Sequence, residues 1–144
     1  MSEILVNEIK HRNGTSAIAI NTSAQMTVRG EGGSATTNLQ QGLAKVFHSV
    51  DQTGTMTTLD SFNVSSVTDQ TTGSSSSSFS NNMNNVNYAY NLTRDRTGSQ
   101  NGGVVQTSST TAPQTTSLRY NCFQENFGSQ DVDRVCLSTH GDLA

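Results

Sequence analysis

The side chains in this sequence that could do catalytic or metal chemistry are few and far apart. The three histidines, His11, His48 and His140, lack the i, i+4 and H-x-x-E-H spacings of metal sites. None of the serines lies in the G-x-S-x-G turn that holds a nucleophile in a strained conformation. The sequence therefore predicts no metal site and no catalytic triad. His48 is expected to be a strand residue whose ring nitrogens meet a backbone or solvent partner.

Two further motifs also fail as sites. The glycine-rich stretch GEGGS, residues 30–34, lacks the terminal G-K-[ST] of a phosphate-binding loop and is interpreted as a hinge. Asp131 and Asp133 lie two apart on an extended chain, which favours solvent-facing residues over the paired acids of a glycosidase groove. We therefore expect a protein that is not an enzyme and needs no cofactor.

Uncharged polar residues dominate the composition. Serine, threonine, asparagine and glutamine supply 64 of 144 residues, while apolar residues make up 31% and charged residues 13%. The net charge is only −3, and aromatic and β-branched residues recur at strand-like spacing, which argues against disorder. Such a chain buries a thin core and leaves many polar groups that need partners, so assembly with other copies is favoured.

The charge pattern and the start of the chain bear on partners and location. The eight basic residues are scattered, which argues against nucleic acid as a partner. No apolar run approaches the roughly 20 residues of a membrane span, and the start MSEILVNEIK has no signal-peptide pattern. We expect synthesis in a cytoplasm and no membrane insertion. Cys122 and Cys136 are accordingly expected to be small buried thiols in preference to a disulfide.

Residues 54–92 carry the clearest period-two pattern in the chain. Alternate residues are expected on opposite sides of one strand: Phe62, Val64 and Ser66 on one, and Asn63, Ser65 and Val67 on the other. The serine run is interpreted as a strand, Ser74 to Phe79, in preference to a flexible linker. The alternation resumes at Val86, Tyr88 and Tyr90. These segments predict a meander of three strands.

Further strands are predicted wherever apolar and polar residues alternate: Ala44 to Val50, Gly54 to Leu59, Val104 to Ser109, Ser117 to Gln124 and Val132 to His140. Asn91 to Gly103 is polar and glycine-containing, so it is interpreted as a loop. Thr37 to Lys45 is expected to be extended or a brief turn, because Gly42 weakens a helix. Many short strands without a convincing helix predict an all-β fold, with a jelly-roll-like β-sandwich over residues 38–144.

Residues 1–33 are predicted to form a separate extended arm with short strands at Ile4 to Lys10, Ala17 to Ile20 and Met26 to Arg29. So short a segment cannot bury its own apolar side chains. We therefore expect these side chains to anchor the arm to a partner surface: Ile4, Leu5, Val6, Ile9, Ile18 and Ile20.

Four segments together resemble one family of proteins. DSFNVSSVTD and NNMNNVNYAY in the centre, ILVNEIKHRNGTSAIAI near the start and VDRVCLSTHGDLA at the end resemble virion structural proteins of marine tailed bacteriophages. Those proteins are tail-fibre-like or head-decoration-like β-sandwich proteins. The resemblance covers most of the chain, and it contains no catalytic motif.

The resemblance implies a structural protein on the surface of a phage particle. It would be a short tail fibre or appendage, or a capsid decoration protein, anchored by its N-terminal arm. Its partners would be other virion proteins of the capsid or tail, and further copies of itself in a homotrimer. The alternative is a host-surface carbohydrate-binding module, in which exposed loops such as Asn91 to Gly103 contact a glycan.

Overall fold

The computed structural model describes residues 8–10, 16–20, 26–29, 36–95 and 102–144. The chain divides into two compact units, Met1–Leu43 and Ala44–Ala144. Within the described residues, twelve strands form three antiparallel four-stranded sheets, and one helix spans four residues. The predicted all-β sandwich fold is confirmed. The arm was predicted to end at residue 33 and the sandwich to begin at residue 38, and the division between the units falls after Leu43.

The N-terminal unit contains a meander in which each strand pairs with the next. Its elements are β1 Glu8–Lys10, β2 Ser16–Ile20, β3 Met26–Arg29, β4 Thr36–Asn38 and the helix α1 Leu39–Gly42. The predicted strands here are confirmed over their described residues. Where an extended segment or a turn was expected, Asn38 caps one helical turn, because its Oδ1 accepts a hydrogen bond of 2.9 Å from the Gln40 amide.

The second unit is a sandwich of two four-stranded sheets. The first sheet has the order β6-β5-β12-β9, and the second has the order β10-β11-β8-β7. The strands are β5 Val46–Asp51, β6 Thr57–Phe62, β7 Val64–Thr71, β8 Ser74–Phe79, β9 Ala89–Asp95, β10 Gly103–Thr107, β11 Ser117–Gln124 and β12 Arg134–His140. The loop predicted at Asn91 is therefore wrong up to Asp95, since β9 continues to that residue.

Strand alternation places the core between the two sheets. In β5 the side chains of Val46, His48 and Val50 are buried, whereas Phe47 between them is exposed. Two clusters of buried apolar side chains fill the space: Val46, Phe79, Met83, Tyr88, Leu118 and Leu137 in one, and Tyr120, Cys122, Val132 and Val135 in the other.

The serine run is a strand, as predicted, and it lies in the core, which was not predicted. β8 pairs with β11 on one side and with β7 on the other, and Ser75 and Ser77 are buried. Their small side chains lie opposite the bulky Tyr120 and His48, so the sandwich can close without overpacking. The interior is therefore partly polar, and it needs internal hydrogen bonds.

The expected single strand through Phe62 and Val64 is wrong, because Asn63 interrupts it. Asn63 has φ 57°, a left-handed conformation, and β6 ends before it while β7 begins after it in the other sheet. Its side-chain amide donates to the Lys45 carbonyl at 3.0 Å and to the Asn81 carbonyl at 3.1 Å. Its Oδ1 accepts from the Asn81 backbone at 2.7 Å. Asn63 thus fixes the corner at which the chain changes sheets.

The turn between β7 and β8 requires glycine. Gly73 has φ +71°, and a Cβ there would lie 2.6 Å from the Cys122 carbonyl oxygen and from the Gln130 amide nitrogen. The Gly73 amide donates to Asp131 Oδ1 at 2.6 Å. Asp131 and Asp133 are both partly buried, and because Asp131 accepts this hydrogen bond, the solvent-facing interpretation does not hold for Asp131.

Both cysteines are free thiols, as predicted. Cys122 lies on the inner face of the second sheet and is fully buried. Cys136 alternates with the buried Val135 and Leu137, so it lies on the outer face of the first sheet and is only partly buried. The interpretation as a small buried hydrophobe therefore holds for Cys122 alone.

Candidate functional site

Among the described residues of the sandwich, His48 and Ser77 form a pair of the type found in catalytic sites. The His48 Nε2 lies 2.9 Å from the Ser77 Oγ, across the space between the two sheets. The ring of Tyr120 stacks on the imidazole with a centroid distance of 5.6 Å. The expectation that backbone or solvent would meet the His48 ring was wrong, because a buried serine hydroxyl does so.

His48, Ser77 and Tyr120 are buried from solvent, and the imidazole of His48 is electrically neutral. Burial lowers the pKa of His48 to about 4. Its Nδ1 has no hydrogen-bond partner in the described part of the chain, so no acid orients the ring as a triad requires. Burial also raises the pKa of Tyr120, and the nearby Ser77 and Ser75 hydroxyls oppose that rise. The Tyr120 hydroxyl has no hydrogen-bond partner of good geometry among the described residues. The arrangement joins the two sheets.

A second polar contact extends this internal network. Gln52 is buried, and its Nε2 donates to Ser75 Oγ at 2.8 Å. Its side-chain Oε1 accepts a hydrogen bond from the Val132 backbone amide at 3.3 Å. The backbone amide of Gln52 donates to the Val132 carbonyl at 3.0 Å. The serine strand thus supplies a hydroxyl to His48 and another to Gln52. Buried polar side chains that bond to one another in this way are typical of a structural core.

The N-terminal sheet has one apolar face, formed by side chains from three of its strands. Ile9, Ile18 and Val28 lie directly opposite one another across β1, β2 and β3. Ile20 is two residues after Ile18 on the same face, and it lies opposite Met26. We call these five residues the apolar face. Ala19 and Thr27, which also pair, lie on the other side of the sheet.

The apolar face remains open to solvent within the N-terminal unit. Ile9 is 56% exposed and Ile20 is 40% exposed, and the other three members are only partly buried. The structure therefore brings together three of the predicted anchoring residues, Ile9, Ile18 and Ile20. The remaining three, Ile4, Leu5 and Val6, lie outside the described residues.

Two members of the apolar face, Met26 and Val28, were not among the predicted anchoring residues. The segment MTVR, residues 26–29, alternates apolar and polar side chains, and that period would have identified both. The alternation alone does not predict the strand register, which places Met26 opposite Ile20 and Val28 opposite Ile18.

The outer surface of the first sheet carries an exposed aromatic pair. Phe47 and Phe62 are directly opposite each other on β5 and β6, and their rings stack with a centroid distance of 5.9 Å and an interplanar angle of 19°. Phe47 is 38% exposed and Phe62 is 53% exposed. Ser138 on β12 and Asn91 on β9 continue the same row across the sheet. We call this surface the aromatic face.

In the part of the chain that the structure describes, no cluster of three or more histidine, cysteine or acidic side chains could bind a metal ion. No helix there has the length and apolar character needed to cross a membrane.

No protein-family model, curated protein or solved structure matches this chain. The resemblance to phage virion proteins therefore stays a prediction from the sequence.

Proposed function

We propose that the protein is a non-enzymatic structural component of a tailed-bacteriophage particle, held to neighbouring virion proteins by its N-terminal sheet. The observation that carries this proposal is the open apolar face. A four-stranded sheet with one apolar and one polar side is stable in water when another surface covers the apolar side. The sandwich would then be the displayed part, as a short tail appendage or a head decoration protein.

The energetics of the apolar face support an anchor. Burying one isoleucine side chain stabilises a contact by about 1.5 to 3 kcal/mol, so several together could hold the unit without a covalent link. The sheet is already formed by backbone pairing among β1 to β4, so the cost of ordering the chain is partly met before the partner binds. We also propose assembly as a homotrimer, since the chain has few apolar residues for its length.

A pair of double variants tests the anchor. Ile9→Ser with Ile20→Ser makes the exposed part of the apolar face polar, while Ala19→Ser with Thr27→Ser changes the opposite side of the same sheet. We expect the first variant to remain folded but to fall at least tenfold in the purified particles of the phage that encodes it. The second should be incorporated like the parent. Equal incorporation of both variants would refute the anchor role.

A further inference from the structure

The aromatic face has a composition that the proposed anchor does not explain. Phe47 and Phe62 present apolar ring surface at one end of a row that continues with Ser138 and the exposed Asn91. The next row on the same surface holds Asp60, Ser49, Cys136 and Thr93. A small apolar platform is therefore bordered by hydroxyl, amide and carboxylate groups.

The size of this platform argues against a protein interface. A large aromatic side chain offers about 150 to 250 Å² of surface, so two rings that are 38% and 53% exposed contribute on the order of 200 Å². A stable protein partner typically covers about 800 Å² on each side, with an apolar centre. The rest of this surface is polar, so a second copy of the chain has too little apolar area to bind here.

The charge of the surface argues against an anionic polymer. The chain has a net charge of −3, and Asp60 lies in the row next to the rings. The two basic side chains that alternation places on this face are Lys45, just before β5, and Arg134, on β12, and Arg134 is directly opposite Asp95. The Asp60 Oδ1 accepts the Ser61 amide at 2.8 Å, which holds the carboxylate in place. Nucleic acids and polyanionic glycans need basic side chains instead.

We propose that the aromatic face binds a neutral saccharide. A sugar ring has an apolar C–H face, which can pack against the exposed ring surface of Phe47 or Phe62, and hydroxyl groups around its edge. Asn91 can both donate to and accept from those hydroxyls, Asp60 can accept, and Ser138 can do either. The strands hold all of these side chains on one flat surface, so little ordering is needed on binding. This binding role is separate from the anchor and does not depend on it.

The test is binding of the full chain to an array of neutral oligosaccharides, built from hexoses, deoxyhexoses and N-acetylhexosamines, with sulfated and uronic-acid glycans on the same array. We expect saturable binding to a neutral glycan. Phe47→Ala and Phe62→Ala should each weaken it at least tenfold, and Asn91→Ala, which removes only an exposed side chain, should weaken it severalfold. Phe127→Ala, at an exposed phenylalanine in the turn after β11, should bind like the parent.

Several outcomes would overturn the saccharide proposal. They are no saturable binding to any neutral glycan, binding to anionic glycans alone, or a neutral-glycan signal that survives both phenylalanine variants. A self-interface is tested by light scattering: if Phe62→Ala, still folded by circular dichroism, converts an oligomer to a monomer, the face binds a second copy and the proposal is wrong.

Discussion

His48 and Ser77 are 29 residues apart in sequence, and their side chains meet across the sandwich at 2.9 Å. The contact joins β5 of one sheet to β8 of the other, with Tyr120 stacked against the imidazole. Because the group is buried, it links the sheets and has no place for a substrate. The polar composition of the chain thus extends into its core.

The first prediction concerns pH. His48 has a pKa of about 4 in the folded protein and about 6.5 when unfolded, so the unfolded state binds more protons between these values. The free energy of unfolding should therefore be unaffected by His48 above pH 6.5 and should fall by about 3 kcal/mol as the pH drops to 4. Urea denaturation at a series of pH values measures this loss.

One variant isolates the histidine from the carboxylates that also titrate in acid. His48→Leu should lose the dependence between pH 6.5 and 5, even if it is less stable overall. A His48→Leu profile parallel to that of the parent would show that the buried imidazole is not the source.

The second prediction concerns the corner at Asn63. Asn63→Ala removes the hydrogen bonds to Lys45 and Asn81 and leaves a residue that resists positive φ. A loss of about 2.5 to 3.5 kcal/mol in the free energy of unfolding is expected, since the three largely exposed bonds contribute about 0.5 kcal/mol each and the conformation about 1 to 2. Asn87→Ala, at an exposed asparagine, should change it by less than about 0.5 kcal/mol. Urea denaturation measures both changes, and similar effects of the two variants would show that Asn63 does not fix the corner between the sheets.

The third prediction concerns Phe127, which has φ 63° and is 76% exposed. A bulky residue in this conformation is strained by about 1 to 2 kcal/mol, and its exposed ring contributes little to packing. Phe127→Gly should therefore raise the free energy of unfolding by about 0.5 to 1 kcal/mol after the entropic cost of glycine. Phe127→Ala keeps the strain and should leave it nearly unchanged. Destabilisation by Phe127→Gly in thermal denaturation would mean that the ring packs in solution.

The fourth prediction concerns the two thiols. Burial raises the pKa of Cys122 to about 12, so its reactive thiolate is scarce in the folded protein. Iodoacetamide should label Cys136 in the native protein and label Cys122 only after unfolding. Mass spectrometry of peptides from native and from unfolded, unreduced samples gives both answers. A pair that resists alkylation in the unfolded, unreduced sample would indicate a disulfide instead.

Many of the β-strands could be predicted, because apolar and polar residues alternate along each of these segments. The predicted strand Ser117 to Gln124 has the same bounds as β11, and the closing strand ends at His140 as predicted. The serine strand was also predicted, although its buried position was not. In each case the side chains that alternate along one segment determine which face is buried.

The features that could not be predicted depend on contacts between distant segments. Nothing local to Asn63 distinguishes a corner from a continuing strand, because asparagine only tolerates positive φ and its partners lie 18 residues away. The pairing of His48 with Ser77, and of Phe47 with Phe62, follows from sheet order and register. The apolar face was predicted in part, through Ile9, Ile18 and Ile20, since apolar residues in a short segment need a cover wherever they lie.

We propose that this chain is a virion protein anchored by its N-terminal sheet. An electron-density map of intact particles of the phage proposed to encode the chain tests this proposal most directly. We predict density for the sandwich on the particle surface, with Ile9 and Ile20 covered by a neighbouring virion protein. Particles without the chain, or particles in which the sandwich makes the attachment while Ile9 and Ile20 face solvent, would contradict the account.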